Sequence, residues 1–202
     1  MNNLDLFFDR NPEKYADSYL NYLVKLIQNA NRKEIGNFIN TLIAARDKKQ
    51  TIFFIGNGGS AATASHFAND LSIGTKCSDN PFKALSLTDN IPIISAVAND
   101  YGYEEVFVRQ LQIYADDGDV LVAISASGNS ENILKAFEFA KLNGIKTVAV
   151  TAFDGGKMLK MADQSVHFPT EKLEYGPAED LHMILDHLVG TYLLRHTSNS
   201  TP

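Results

Sequence analysis

The sequence predicts an α/β fold: a three-layer αβα sandwich on a five-stranded parallel sheet, preceded by two helices. Three observations lead there. Five short runs rich in β-branched, aliphatic or aromatic residues recur at 51–55, 83–87, 120–125, 147–151 and 165–168. Segments of helical period separate them, and strands alternating with helices call for a parallel sheet covered on both faces. The runs are nearly continuous in apolar residues, as strands buried on both faces are.

Each element follows in order. Over 15–30, Tyr19, Leu20, Leu23, Val24, Leu26 and Ile27 recur at helical spacing. Asn31 and Glu34 resemble a capping box opening a second helix, with Ile35, Phe38, Ile39, Leu42 and Ile43 on one face. These leading helices have no strand partner, so they must bury their apolar faces on the sheet layer or on another subunit. Between the strands, helical patterns lie over 60–71, 91–99, 103–114, 129–143 and 156–161. Pro177 opens a final helix to about residue 195. No linker or charge block divides the chain. A single domain over 1–202 is expected: leading helices 1–50, αβα core and C-terminal helix 51–196, and a polar tail at 197–202 that frays.

The totals exclude several classes. The net charge of −6 gives no general attraction to nucleic acid or an anionic membrane surface. No apolar run approaches transmembrane length. The opening MNNLDLFFDRNPEKY has neither the basic nor the hydrophobic region of a secretory leader. Cys77 is the only cysteine, so no internal disulfide forms, and a reducing, cytoplasmic location is expected. With no CxxC partner, Cys77 reads as a bystander thiol.

The chemistry lies in two similar turns. The first strand runs into GNGGSAAT and the third into ASGNSEN, each a strand, then a Gly/Ser/Asn turn, then a helix. Ligands of open α/β sheets bind outside the carboxyl ends of strands. Glycine lets a ligand approach the backbone, and the helix start behind it offers free N–H groups. Hydroxyls of Ser125, Ser127 and Ser130 add neutral donors, a combination suited to a phosphate monoester. Any α/β protein needs Gly and Ser at such turns; the presence of two is what points to phosphate. Neither turn is GxxxxGK[ST], and the first departs from GxGxxG at Ala61, so a nucleotide is disfavoured. His66 and Asp70, at i and i+4, share a helical face. A second His/acid group lies in EDLHMILDH at 179–187. Such side chains suit zinc or another divalent ion, or acid–base work.

Four segments, GNGGSAATASHFANDL at 56–71, NDYG at 99–102, SASGNS at 125–130 and EDLHMILDH, resemble in order the phosphoheptose isomerases of the sugar isomerase (SIS) family. The resemblance implies a flavodoxin-like sandwich and a homotetramer with sites at subunit boundaries. It implies conversion of sedoheptulose 7-phosphate to D-glycero-D-manno-heptose 7-phosphate with one zinc ion per subunit. By match, Ser60, Ser125, Ala126, Ser127 and Ser130 would hold the phosphate end. Asn57, Gly58, Gly59, Asn99 and Asp100 would line the sugar site. His66, Asp70, Glu179 and His187 would ligate the metal, Glu179 also facing substrate. Asp70 would double as the base, with His187 as its acid partner.

The chain departs from that pattern in three places. Asp70 stands where the family typically has Glu, Glu179 where it has Gln, and Gly176 where an acidic residue is common. The spacing of Glu179 and His187 is also long, because eight helical residues rise about 12 Å. One ion can bind both if the helix starts irregularly or if two subunits share the site; Glu179 with His182 is a rival pairing. Two other functions stay open: isomerisation of a different sugar phosphate, and a non-catalytic role as a sugar-phosphate sensor or a SIS adaptor that binds a replication initiator. The His and carboxylate set speaks against an adaptor.

Overall fold

In the computed structural model, which describes residues 2–198, the apolar runs become β1 (Thr51–Gly56), β2 (Lys83–Ser86), β3 (Val120–Ser125), β4 (Lys146–Thr151) and β5 (Gln164–His167). All pair in parallel, in the order β2-β1-β3-β4-β5. Successive strand residues face opposite sides of a sheet, so Phe53 and Phe54 enter different cores. Phe54 joins Phe38 and Leu42 of α3 (Arg32–Asp47), Phe67 of α4 (Gly59–Asn69), and Leu181, Leu185 and Val189 of the last helix. Phe53 joins Leu111, Phe137 and Met158, which cover the opposite face. Each such buried side chain contributes about 1.5–3 kcal/mol relative to exposure. The three expected layers are therefore present.

Boundaries differ from the sequence expectation where tertiary contacts decide. A short helix, α1 (Asn3–Leu6), precedes the two expected ones, capped by Asn2 and Asp5. The first long helix, α2, is Pro12–Asn29, with Asn11 as its cap and Pro at its start. Asn31 caps α3 through Lys33 and Glu34 N–H, but Glu34 bonds the Asn31 side-chain amide and accepts from His167 N–H instead of closing the box. After α4 the chain makes a π turn at Asp70–Gly74. An α-helix follows at α5 (Ile91–Tyr101). The pattern expected as one helix over 103–114 is a 3-10 turn, Tyr103–Glu105, and then α6 (Val108–Tyr114). Val106 and Phe107, at the break, are both buried. Helices α7 (Glu131–Leu142) and α8 (Gly156–Met161) follow the second turn and β4.

The last helix, α9 (Tyr175–Ser198), starts two residues before Pro177 and runs past 195. Pro177 fits inside the first turn because N–H groups there have no helical acceptor. Thr197 is not frayed: it is buried, and its hydroxyl donates to the Thr75 carbonyl at 3.2 Å. Residues 199–202 of the expected tail lie outside the described residues.

Helix α9 also buries His182 completely against Phe168, with no hydrogen-bond partner for either ring nitrogen. Burial pushes its pKa from 6.5 down to about 4. Between those values the unfolded chain binds a proton that the folded one refuses. Its contribution is therefore complete above about pH 6.5 and falls as pH drops toward 4, by on the order of 3 kcal/mol. Urea midpoints at pH 7.5 and 4.5 test this. The difference should shrink in His182→Leu, and an unchanged difference would acquit the histidine.

Candidate active site

Strands β1 and β3 are neighbours, with Gly56 opposite Ile124, and the sheet's order reverses between them. That is where open α/β sheets leave a crevice. The two Gly/Ser turns meet here. Asn57, in the first, exchanges side-chain amide bonds with Asn132 of α7 at 3.0 and 2.9 Å. Tyr103 donates to the Asn57 side-chain oxygen at 2.9 Å. Gly58 has φ 54, the left-handed region that glycine enters at little cost. In the second turn Ser125 Oγ accepts from Gly128 N–H at 3.1 Å. Ser127 Oγ accepts from Asn129 N–H at 3.4 Å and keeps its own proton to give.

Together the turns line a cavity of about 150 Å³ with Asn57, Ser60, Ser125, Ala126, Ser127, Ser130, Tyr175 and Glu179. No lysine or arginine lines it. Its donors are hydroxyls, amides and the N-termini of α4 and α7, which favour an anion. Glu179 is the exception: its carboxylate lies over Gly59, where an added Cβ would come within 2.4 Å of both oxygens. A larger cavity of about 320 Å³ adjoins through Ser127 and is bordered by Phe153, Thr170 and Lys172.

Two turns further along α4 is a second group. His66 Nε2 is 3.5 Å from Asp70 Oδ1 and 3.8 Å from Asp186 Oδ2. The His66 and His187 rings stand edge to face, 5.1 Å apart. One potential ligand atom from each of His66, Asp70, Asp186 and His187 lies within 4.8 Å of the others, the single such group among the described residues. Close approach of the helices permits it, because a Cβ on Gly190 of α9 would sit 3.4 Å from Asp70 Oδ2. Asp186 is fully buried and neither of its oxygens has a hydrogen-bond partner. Burial, and then the charge of Asp70, raise its pKa to about 7.

The predicted residues thus divide. Asn57, Ser60, Ser125, Ala126, Ser127, Ser130 and Glu179 come together at the cavity, with Gly58 and Gly59 at its α4 rim. His66, Asp70 and His187 come together beside it along α4 and α9. Glu179 lies outside that second group, and Asp186 lies within it. Asn99 and Asp100 stay exposed near the end of α5, bonded to each other at 2.8 Å, and border neither cavity. The sequence reading passed over Asp186, Tyr103 and Asn132. Asp186 had left a signal: it shares a helical face with Leu185 and Val189, where a carboxylate is out of place unless it has a partner.

Comparison with known proteins agrees with this geometry. The SIS domain family matches residues 14–152, which include both turns, His66 and Asp70. A phosphoheptose isomerase of Helicobacter pylori (strain Shi470) is 39% identical over 161 residues, 80% of this chain and 83% of that protein. One from Sulfurimonas denitrificans is 43% identical over 145 residues, 71% of this chain and 72% of that protein. The solved phosphoheptose isomerase of Neisseria gonorrhoeae superposes with a TM-score of 0.81 at 28% identity, covering 91% of this chain and 98% of that one. The chain belongs to the SIS domain family, and within it to the phosphoheptose isomerases.

Proposed function

We propose that this protein is an aldose–ketose isomerase that converts sedoheptulose 7-phosphate to D-glycero-D-manno-heptose 7-phosphate through an enediol. It would act as a single SIS unit in the cytoplasm, supplying heptose for a surface polysaccharide such as lipopolysaccharide. One observation carries the reading. Helices α4 and α9 each contribute to both the serine cavity and the His/Asp group. Glu179 faces Gly59 at one level and Asp186 faces His66 at the next. On both helices the step between levels is seven residues, about 10.5 Å. An extended seven-carbon sugar phosphate would place its phosphate in the serine turns and its carbonyl end at the His/Asp group.

The chemistry then assigns roles. The hydroxyls of Ser60, Ser125, Ser127 and Ser130, with the N-termini of α4 and α7, hold the phosphate. Asp70 removes the proton from C1 of the ketose, and the C–H electron pair becomes the C1=C2 bond. His187 gives a proton to the C2 oxygen. His187 then takes the proton of the C1 hydroxyl and Asp70 returns its own to C2, which leaves the aldehyde. His66, Asp70 and His187 also fit a divalent ion such as zinc, which takes imidazole and carboxylate donors. When bound, the ion would polarise the substrate's carbonyl and hydroxyl oxygens.

A homotetramer with sites at subunit boundaries is supported by uncovered apolar surface. No residue of α2 is buried, and its Leu20, Val24 and Ile27 are exposed. On α9, exposed Ile184, Leu188 and Tyr192 recur every fourth residue, next to His187. No helix among the described residues is long and apolar enough to cross a membrane.

Incubation with sedoheptulose 7-phosphate in heavy water tests the proposal. Deuterium should enter the carbon beside the carbonyl, stop on chelation and resume with zinc. Metal-loaded protein that exchanges nothing would overturn this substrate, and exchange with a different sugar phosphate would replace it. Ser127→Ala should weaken phosphosugar binding by about 10-fold or more, the cost of a hydrogen bond to a charged group. Its metal content should not change. Unaltered affinity in a titration would remove Ser127 from the phosphate site.

A further inference from the structure

We infer that Asp186, and not Glu179, supplies the carboxylate that α9 gives to the divalent-ion site. The inference rests on the metal-dependent reading above, and three observations support it.

First, the Asp186 side chain is 0% exposed, yet neither oxygen has a hydrogen-bond partner. Burying a carboxylate without partners is costly, and proteins keep such a group when it is paired or binds a metal. Second, it faces the other members of the group. Oδ2 lies 3.8 Å from His66 Nε2, and a ligand atom of Asp70 lies within 4.8 Å of one from Asp186. Two carboxylates side by side repel one another, and a dication between them turns that repulsion into attraction. The imidazoles and carboxylates together make a nitrogen and oxygen donor set of the kind zinc takes.

Third, Glu179 is occupied elsewhere. Its carboxylate lies over Gly59 and lines the serine cavity. Seven helical residues separate it from Asp186, a rise of about 10.5 Å along α9. Within one chain a regular helix holds Glu179 and His187 apart, whereas Asp186 and His187 already converge. Glu179 then becomes a substrate-side group. A carboxylate at the cavity wall accepts hydrogen bonds from sugar hydroxyls and repels a second phosphate, so it would select for monophosphorylated sugars.

The test is zinc binding by the metal-stripped full-length chain, measured calorimetrically against a competing chelator. Wild-type protein should bind one zinc per chain, and Glu179→Ala, which removes every donor atom of that side chain, should match it within about threefold. Asp186→Asn should bind more than 100-fold more weakly, beyond the roughly 10–100-fold effect of losing an outer-shell partner. Melting curves provide a second readout. Without metal, Asp186→Asn should melt at or above wild type, because it removes an unpartnered buried charge. It should lose the rise that zinc gives wild type. Asp186→Leu, of similar size and suited to its apolar neighbours, repeats the test if the amide disturbs folding. Wild-type zinc affinity in the Asp186 variants, or a loss in Glu179→Ala as large as in Asp186→Asn, would overturn the inference and leave the isomerase reading intact. Wild-type protein that binds no zinc would overturn the metal-dependent reading and this inference with it.

Discussion

Asp70→Asn is expected to lose roughly 10³-fold or more in kcat, within the range that a positioned acid–base group contributes. Asp70 sits where α4 gives way to the π turn, 3.5 Å from His66 and under Gly190. The amide has nearly the same shape and cannot take a proton from carbon. The substitution should not unfold the chain. The one side-chain hydrogen bond that Asp70 receives, from Asn69 at 3.1 Å, can be accepted by an amide oxygen. It also removes the charge that crowds Asp186. Deuterium exchange at the carbon beside the carbonyl should stop, while affinity for the phosphosugar stays within a few-fold. A variant that keeps a tenth of wild-type exchange would show that another group is the base.

The second large effect is expected from Gly128→Ala. Gly128 has φ +60, and an added Cβ would lie 2.0 Å from the Gly155 carbonyl oxygen. The left-handed conformation costs alanine about 1–2 kcal/mol, and the clash is with backbone, which cannot swing aside. A total loss of about 3–5 kcal/mol follows. The turn cannot open without breaking its ties, since the Gly128 carbonyl accepts from Met158 N–H at 2.9 Å. Urea unfolding should show the loss of stability, and phosphosugar affinity should fall further than in Ser127→Ala. A normal urea midpoint would mean that the turn does not hold this conformation in solution.

What could be read from the sequence followed the range of the forces involved. The strands were legible because burial on both faces leaves continuous apolar runs. The serine turns were legible because glycine and hydroxyls act within a few residues of backbone. His66 and Asp70 stood out for the same reason, being one helical turn apart. Asp186 was not singled out: its meaning depends on α4 crossing α9, a contact between segments more than a hundred residues apart. Glu179 shows the reverse. Within one chain it lies outside the His/Asp group, in keeping with the long helical rise to His187. The break between Glu105 and Val108 interrupts an otherwise helical pattern, and periodicity alone does not reveal it. Asn99 and Asp100 are exposed within one chain and border neither cavity.

The π turn at Asp70–Gly74 has a consequence for the protein's adaptation. A π turn is what a helix becomes on accepting one residue too many, and it is tolerated mostly at functional sites. Deleting one residue there would restore regular bonding, so selection for heat resistance alone would favour the shorter loop-free helix. It would also wind Leu71 and the segment beyond it about 100° from their present direction and disturb the ground beneath Asp70. Selection for turnover would keep the irregularity. A library evolved under heat and one evolved under sugar-phosphate flux should therefore part company at these five residues before anywhere in α4.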